Sequence, residues 1–415
     1  MLARPDAPIK AVLARVFHYP TGMEAPNRRL KIVYVLDSAG TARAGGLVSG
    51  DRIISGLRER HDVISVGLNG DVTLPQLEMP VAKDLVEGNS FAFAKPDAQK
   101  LREVIATADV VHIQLPFFLG HMALELAKEL GVPVVTAHHV QPENLFASMG
   151  LRWPRLARAL GTRRGVRRLN RLMVKLFHSR ADLVICPSQL ARAELLDVGL
   201  TTPITIISNG APEKFEPVEH RPPHPFTVLS VGRFVPEKRH DVIIQAVRQS
   251  KHAAQMRLVI AGKGPLEEKL KSLAENHPAD VRLGFVSDDA LLELYQTADV
   301  YVHASEVELE GMAAVEAMRC GCPAILADSA TSATRQFALD ENHLFHPGDA
   351  WELARRLDEC FEKRTWLEGE RQRTLESVKN LGLHSIIAEY EKSYLKVARP
   401  LRDASAEIPW ADEAA

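Results

Sequence analysis

Short apolar segments alternate with segments of helical period along most of this 415-residue chain. Segments 31–36 and 226–231 are rich in β-branched residues, and each is followed by a glycine-containing stretch and then a helical pattern. Similar apolar runs occur at residues 63–66, 110–113, 132–136, 183–185 and 204–207, and again at 258–260, 281–283, 300–303 and 324–326. This alternation is typical of parallel sheets covered by helices on both faces. The sequence therefore predicts an α/β protein with two Rossmann-like, doubly wound domains.

The domain limits follow from proline and charge. Five prolines crowd residues 212–225 and indicate a linker. We expect an extension over 1–29, a first domain over 30–217 completed by 381–399, a second domain over 218–380, and a flexible tail over 400–415. The apolar run 110–124 is shorter than the roughly 20 residues that span a bilayer, and the N-terminus lacks a signal-peptide core. We therefore predict a chain that is neither secreted by the usual signal nor membrane-spanning.

Composition narrows the class of protein. With 46% hydrophobic and 25% charged residues, the chain is neither disordered nor fibrous. Net charge is −2, but residues 1–217 carry 27 Lys and Arg against 21 Asp and Glu, so the first half is basic and the second acidic. This imbalance suggests that the first domain faces something anionic. The four cysteines form no C-x-x-C pair, which favours reduced cytosolic thiols over a zinc site.

The most informative motif lies in residues 305–323. Glu308 and Glu316 are eight residues apart with Gly311 between them, and the pattern predicts a helix that begins near Gly311. A helix N-terminus favours a phosphate. Glu316, one turn inside, is placed to accept hydrogen bonds from sugar hydroxyls, and Glu308 to contact a second group of the same ligand. The alternative is a pair of solvated surface charges.

A second motif follows the strand predicted at 226–231. Gly232 allows a tight turn there, and it places Arg233 and Lys238 at the carboxyl edge of the sheet, where doubly wound folds bind ligands. Arg and Lys are both suited to phosphate. Taken alone, this motif is more often surface than site. Gly264 lies in a turn, residues 261–265, that is too short to be a dinucleotide fingerprint.

The pairing of Gly-Arg-x4-Lys (232–238) with Glu-x7-Glu (308–316), after an early Gly45-Gly46 loop, resembles the GT4-type glycosyltransferases of the GT-B fold. The resemblance covers roughly residues 30–397. It implies two domains that face a cleft, an acceptor domain first and a nucleotide-sugar domain second. It also implies a C-terminal helix that returns to the first domain.

The resemblance assigns roles residue by residue. Arg233 and Lys238 would hold the donor diphosphate, Glu316 the ribose, and Glu308 the transferred sugar. The implied catalytic residues are Arg233, Lys238, Glu308 and His138; the donor-binding residues are Gly232, Arg233, Lys238, Gly264, Glu308, Gly311, Met312, Ala313 and Glu316; the acceptor-side residues are Gly45, Gly46, His138, His139 and Glu143. His138 could also be a core histidine. Family members retain configuration and usually need no metal. No Asp-x-Asp motif is evident, so we expect no cofactor or metal.

Segments 139–144 and 328–340 are similar to those of GT4 enzymes that glycosylate diacylglycerol in bacterial membranes. Glu310 departs from the wider family, in which many members carry an aromatic residue there. What Glu310 does to donor choice is left open by the sequence.

A basic amphipathic stretch supports a membrane acceptor. Residues 144–181 hold ten basic residues and no acidic one, with apolar residues at helical spacing between them. The expected membrane-docking residues are Trp153, Arg155, Arg163, Arg164, Arg167, Arg168, Arg171 and Lys175. Such a helix suits an anionic membrane surface. A core-packed helix with solvated Arg side chains is the alternative. A nucleic-acid patch lacks an accompanying stacking platform, so we expect no nucleic acid.

The main hypothesis is a retaining hexosyltransferase, cytoplasmic and peripheral on the inner face of the cell membrane. It would move a hexose, with UDP-glucose as the leading donor, to 1,2-diacylglycerol. One alternative keeps the enzyme class with a soluble or polyprenyl-linked glycan acceptor. Another is a binding module that has lost activity, against which the intact set of motifs argues. The sequence leaves open the donor base (uracil or guanine), the hexose and the oligomeric state.

Overall fold

The computed structural model describes residues 28–36, 38–39, 45–78, 92–139, 163–219 and 224–399. Two parallel sheets with covering helices account for most of these residues, so the predicted α/β class with two Rossmann-like units is confirmed. Several predicted features lie outside the described residues: nearly all of the extension, the tail 400–415, and the side chains of Glu143, Trp153 and Arg155.

The first unit is built on seven parallel strands. Its described strands are Lys31–Leu36 (β1), Ser38–Ala39 (β2), Asp62–Gly67 (β3), Val72–Thr73 (β4), Ala92–Phe93 (β5), Val110–Ile113 (β6), Val134–Ala137 (β7), Leu183–Cys186 (β8) and Ile204–Ile206 (β9). The sheet order is β4-β3-β1-β6-β7-β8-β9, and β2 pairs separately with β5 in antiparallel fashion. Strands β6, β7 and β8 are buried at every position, because helices cover both faces of the sheet.

The second unit is built on six parallel strands. They are Phe226–Val231 (β10), Met256–Ala261 (β11), Asp280–Gly284 (β12), Val300–His303 (β13), Ala324–Ala327 (β14) and Leu344–Phe345 (β15). The order is β12-β11-β10-β13-β14-β15. Successive strands are thus added on one side of β10 first and then, from β13 onward, on its other side. In open α/β sheets, ligands bind at the carboxyl ends of the strands beside such a reversal. The crevice at the ends of β10 and β13 is therefore the first place to look for a site.

Twelve longer helices are described. They are Gly45–Arg58 (α1), Ala98–Ile105 (α2), Phe118–Glu129 (α3), Arg163–Leu176 (α4), Gln189–Asp197 (α5), His240–Gln249 (α6), Glu267–Ala274 (α7), Asp288–Thr297 (α8), Met312–Arg319 (α9), Ala350–Glu362 (α10), Arg364–Val378 (α11) and Leu383–Val397 (α12). Side chains of Asp97, Ser188, Ser287 and Asp349 accept hydrogen bonds from first-turn amides and so cap α2, α5, α8 and α10. Among the helices of the described ranges, none has the length and apolar character of a membrane span.

The last helix, α12, packs on the first unit rather than the second. Tyr390 and Tyr394 are fully buried in a core that includes Tyr34 of β1. Gly56 of α1 allows this close approach, because a Cβ at that position would lie 2.6 Å from Ile387 Cγ1. The first and the last described segments thus belong to the same unit.

The chain crosses between the units twice, and the two crossing segments lie side by side. The Ala211 amide donates to the Leu381 carbonyl at 2.9 Å, and the Leu383 amide donates to the Ala211 carbonyl at 2.8 Å. Gly210 has φ +68°, and a Cβ there would lie 2.8 Å from Ile386 Cγ1, so glycine is needed twice over. The two units are thus joined by a pair of adjacent, hydrogen-bonded segments.

Candidate active site

A loop after β13 leads into α9 and carries the acidic motif. Helix α9 begins at Met312, confirming the predicted start, and Gly311 precedes it with φ +92°. A side chain at Gly311 would collide with Thr334, so both backbone conformation and space require glycine. The loop is fixed by the Glu308 amide, which donates to the Thr331 carbonyl at 3.1 Å, and by the Ala333 amide, which donates to the Glu308 carbonyl at 2.9 Å. The amides of Met312 and Ala313 have no acceptor among the residues that the structure describes, and these free amides at the start of α9 therefore occupy a well-defined place at the sheet edge.

Lys238 and Glu308, 70 residues apart in sequence, form an ion pair. Lys238 ends a short 3-10 turn after β10, Pro236–Lys238. His303, the last residue of β13, places Nε2 3.0 Å from the same Glu308 oxygen. Burial alone would raise the pKa of Glu308, but Lys238 and His303 outweigh it and hold that pKa well below its usual value. The carboxylate is thus ionised, largely buried and held between an ammonium and an imidazole.

Arg233 stands apart from this ion pair. Its guanidinium is about a third exposed and lies 3.5 Å from Glu237 Oε1. Gly232 carries no side chain against the Lys238 stem, where a Cβ would lie 3.5 Å from Cδ. Gly264 has a packing reason of its own, because a Cβ there would lie 2.7 Å from the Phe234 carbonyl oxygen. Its part in donor binding stays a prediction.

Glu316 points from α9 toward the first unit. The Tyr295 hydroxyl donates to Oε2 at 3.2 Å, and both terminal nitrogens of Arg52 donate to Oε1 at 3.1 Å. Burial raises the pKa of Glu316, and Arg52 partly offsets the effect. Because Arg52 belongs to α1, this contact shows that α1 faces α9 across the cleft. Helix α1 begins at Gly45 and Gly46, the predicted acceptor-side glycines.

His138 follows β7 directly and is 2% exposed. Its Nδ1 lies 3.2 Å from His178 Nε2, and His178 Nδ1 lies 3.0 Å from the Thr136 hydroxyl. Burial, reinforced by neighbouring His139, lowers the pKa of His138 to about 3. The ring is therefore neutral at pH 7, and its partner fixes its orientation. Burial also lowers the pKa of His139, to about 4, and His139 Nε2 has no hydrogen-bond partner within the part of the chain that the structure describes.

Three site residues escaped sequence reasoning: Arg52, Tyr295 and His178. Each touches a predicted residue on another element: Tyr295 lies 21 residues from Glu316, His178 lies 40 from His138, and Arg52 lies 264 from Glu316. A weak signal existed for Arg52, which lies two helical turns after Gly45 on the side of α1 that a cleft would use. His178 and Tyr295 carried no signal, because isolated His and Tyr residues are common in cores.

Helix α4 carries the predicted basic surface, and its apolar residues differ in exposure. Val174 and the following Phe177 pack into the hydrophobic core of the first unit, whereas the Leu172 and Leu176 residues are 50% and 49% exposed. Among the apolar residues predicted at helical spacing, Phe177 is buried, Leu169 and Met173 are half-buried, and Leu172 and Leu176 lie outward. At about 100° per residue, the exposed leucines lie beside the stripe of Arg168, Arg171 and Lys175.

Partners of the basic residues differ. Arg167 pairs with Asp197 of α5 at 3.1 Å, so part of its charge is neutralised. Arg168, Arg171 and Lys175 form no ion pair with any residue that the structure describes. Arg163 and Arg164 lie in the first turn of α4, and their side chains are outside the described atoms. The exposed part of α4 is thus cationic and apolar together.

One other cluster has metal-ligating groups. Ligand atoms of Asp340, His343 and Glu370 lie within 4.8 Å of one another. Arg373 donates to Glu370 at 2.6 and 2.7 Å and to Asp340 at 3.1 Å. Since a guanidinium already pairs with both carboxylates, the cluster is suited to a structural ion-pair network rather than to a cation.

Comparisons with known proteins agree with this architecture. The family model described as "Glycosyl transferases group 1" matches residues 212–380, and the model described as "Glycosyltransferase Family 4" matches residues 48–215. Among solved structures, HepE of Anabaena in complex with UDP-glucose is 18% identical, covers 88% of this chain and 100% of its own, and has a TM-score of 0.64. Sucrose-phosphate synthase from Thermosynechococcus elongatus is 17% identical, covers 89% and 99%, and has a TM-score of 0.64. At these identities the likeness shows the fold alone.

Curated relatives act on several substrates. An alpha-monoglucosyldiacylglycerol synthase of Streptococcus pneumoniae is 27% identical over 52% of this chain and 51% of its own length. A sulfoquinovosyl transferase of Arabidopsis thaliana is 26% identical over 60% and 49%. A GDP-mannose-dependent phosphatidylinositol dimannoside mannosyltransferase of Mycobacterium tuberculosis is 36% identical over 37% and 42%. The chain spans about half the length of the curated relatives it matches.

Proposed function

Because this chain belongs to the GT4-type glycosyltransferases of the GT-B fold, we propose that it transfers a hexose from a nucleotide-diphosphate sugar to a lipid acceptor. The observation that carries the proposal is the Lys238–Glu308 ion pair at the end of β10 and β13, beside the free amides of α9. A mobile cation, a sugar-binding carboxylate and a helix N-terminus at one sheet edge suit a sugar diphosphate.

In this proposal the second unit holds the donor. Arg233 and Lys238 bind the diphosphate, Arg233 through its planar fork and Lys238 as a point charge. The backbone of Gly311, Met312 and Ala313 receives the sugar and phosphate. The partial exposure of Arg233 leaves it free to turn toward a ligand. Lys238 exchanges its contact with Glu308 for the phosphate, and Glu308 exchanges the ammonium for sugar hydroxyls.

Glu316 binds the ribose hydroxyls. Its two oxygens already accept from Tyr295 and Arg52, so the carboxylate is held in place before a ligand arrives. A carboxylate oxygen has room for more than one donor. Arg52 belongs to α1 of the first unit. The Glu316 carboxylate therefore both binds the ribose and holds α1 in contact with the second unit.

Transfer takes place in the cleft between the units. The bond between the anomeric carbon and the diphosphate oxygen breaks, and the acceptor oxygen attacks from the same face. The acceptor proton passes to the departing phosphate oxygen, which accounts for retained configuration without an enzyme nucleophile. Arg233 and Lys238 stabilise the charge that develops on the diphosphate. In this role they replace a divalent metal ion. Closure of the units excludes water and suppresses donor hydrolysis.

His138 faces the transferred sugar from the first unit in this account. A neutral imidazole, held by His178, can accept a hydrogen bond from a sugar hydroxyl or donate one without adding charge. His139, Glu143, Gly45 and Gly46 make up the rest of the acceptor side.

Diacylglycerol is the proposed acceptor, with glucose as the first sugar to test. Support comes from two relatives named as alpha-monoglucosyldiacylglycerol synthases, from S. pneumoniae and Acholeplasma laidlawii, at 27% and 25% identity. The mannosyltransferase relative, also named for a lipid acceptor, keeps GDP-mannose in the donor panel.

Helix α4 supports docking on an anionic membrane at the cytoplasmic face. Exposed Leu172 and Leu176 can enter the interface while Arg168, Arg171 and Lys175 contact lipid phosphates. Each such cation contributes on the order of 1 kcal/mol near an anionic surface.

The test is transfer of labelled sugar into lipid. The protein is incubated with labelled UDP-glucose, UDP-galactose or GDP-mannose and vesicles of diacylglycerol in phosphatidylglycerol, and the organic phase is counted. We expect organic-soluble label from one donor. If label stays aqueous while nucleoside diphosphate is released in the presence of a glycan acceptor, the acceptor is a soluble or polyprenyl-linked glycan instead. If no donor is consumed with any acceptor, the chain is a binding module and the proposal fails.

A further inference from the structure

Glu310 lies in the middle of the acidic motif but faces away from Lys238. It is 3% exposed, and within the described ranges no Lys or Arg pairs with it. Its carboxylate accepts instead from three groups of residues 208–211, the first crossover between the units. These groups are the Ser208 hydroxyl, the Asn209 amide N–H at 3.1 Å, and the Asn209 side-chain amide at 2.6 Å. A buried carboxylate without a cation is costly unless hydrogen bonds satisfy it, and here they come from one place.

The crossover depends on Glu310 in return. The Ser208 hydroxyl donates to Glu310 and accepts from the Gly210 amide at 3.1 Å, so it links the carboxylate to the left-handed turn at Gly210. That turn lies against α12 and precedes the pairing of Ala211 with Gly382. The contact therefore reaches the paired segments that join the two units.

The neighbouring residue makes a second tie. Leu309 is 9% exposed and packs in the core cluster of the first unit, although it belongs to the loop of the second. Three consecutive side chains thus contact three different places: Glu308 contacts Lys238, Leu309 packs in the hydrophobic core of the first unit, and Glu310 bonds to the first crossover. Because the loop backbone is also held through Glu308, a shift at the crossover must move the carboxylate that faces Lys238.

We propose that Glu310 is a positioning residue that locks the loop 305–311 to the first crossover and so sets where the donor-binding side chains lie relative to the acceptor unit. The effect on transfer rests on the proposed function; the lock itself does not. Glu310 bonds to Ser208 and Asn209 rather than to Lys238, so it acts through Glu308 and the start of α9. The residue that stood out from the wider family by sequence thereby has a physical role.

The design separates positioning from binding. Glu310→Gln keeps the shape but presents an amide nitrogen to a set of donors, and Ser208→Ala removes one partner from the other side. Glu306→Gln is the matched control, since Glu306 lies in the same loop but bonds outward to Arg239. For each variant and the double variant, we measure kcat in the labelled transfer assay, the Kd for UDP by calorimetry, and the unfolding free energy in urea.

For Glu310→Gln we expect kcat to fall about tenfold or more while the Kd for UDP stays within about twofold, because the donor groups remain on one unit. Ser208→Ala should lower kcat in the same way, and the double variant should be no worse than Glu310→Gln alone. An unchanged kcat in folded Glu310→Gln, or parallel loss of kcat and UDP affinity, would overturn the positioning role.

The unfolding data keep the two proposals apart. If the wild-type protein transfers no sugar from any donor, the proposed function fails, but the cycle of Ser208→Ala and Glu310→Gln still reports the lock. Non-additive unfolding free energies support it, and additive values refute it.

Discussion

Replacing Lys238 by Met should separate the stability of the candidate site from its chemistry. The side chains of Lys238 and Glu308 are only 17% and 13% exposed, so the variant leaves an almost buried carboxylate without its main partner. Removing one member of a buried ion pair costs about 3–5 kcal/mol. Because His303 remains 3.0 Å from the carboxylate, we expect a loss near the lower end of that range. Turnover should fall by about 10²–10³, the usual effect of losing one group that stabilises developing charge.

The double variant Lys238→Met/Glu308→Gln tests whether stability and turnover depend on the ion pair in different ways. It removes the unpaired charge, so most of the lost unfolding free energy should return, yet sugar transfer should stay at least as low as in Lys238→Met. Urea unfolding gives the first quantity and labelled transfer the second. Lys271→Met is the control: its ammonium bridges Glu267 and Glu268 on the surface, where such pairs contribute about 0–1 kcal/mol. A double variant as unstable as the single one, or a folded Lys238→Met with near-normal turnover, would refute the argument.

Three further predictions concern other parts of the molecule. Gly311→Ala should destabilise the protein by about 1–3 kcal/mol, measured by urea unfolding, because φ is +92° there and a Cβ has no room. Burial raises the pKa of Glu310 to about 7, so its contribution to stability is present below about pH 4.5 and lost as pH rises through 7. The unfolding free energy of the wild-type protein should therefore decline over that window relative to that of Glu310→Gln. Equal pH slopes for the two proteins would contradict this prediction. Arg168→Glu/Lys175→Glu should weaken sedimentation with phosphatidylglycerol vesicles at low salt at least tenfold, whereas Arg192→Glu on α5 should not.

The parallel strands and the start of α9 were predictable because they depend on local pattern. A strand buried on both faces reads as a continuous apolar run, as at 110–113, and a glycine before an apolar period marks a helix start, as at Gly311. The two-residue strands β2, β4, β5 and β15 were missed, since two residues have no period. Their pairing depends on the longer strands beside them.

Site geometry was only partly predictable. The motifs located Lys238, Glu308 and Glu316, but not that the first two neutralise each other or that Arg52 reaches the third from another unit. These contacts join residues brought together by the fold, and no spacing along the chain encodes them. The role of Glu310 was hidden for the same reason, because its partner Ser208 lies 102 residues earlier.

The central claim is that the carboxyl edge of the second sheet binds a nucleotide sugar through Glu316 and its neighbours. The most direct test is calorimetric titration of the wild-type protein and Glu316→Gln with UDP-glucose and with GDP-mannose, with Glu293→Gln on the exposed side of α8 as control. The account predicts that one of the two nucleotide sugars binds the wild type and the control alike, and that Glu316→Gln weakens this binding about tenfold or more, the effect of losing a charge-assisted hydrogen bond. Binding of neither compound, or equal binding by Glu316→Gln, would contradict it.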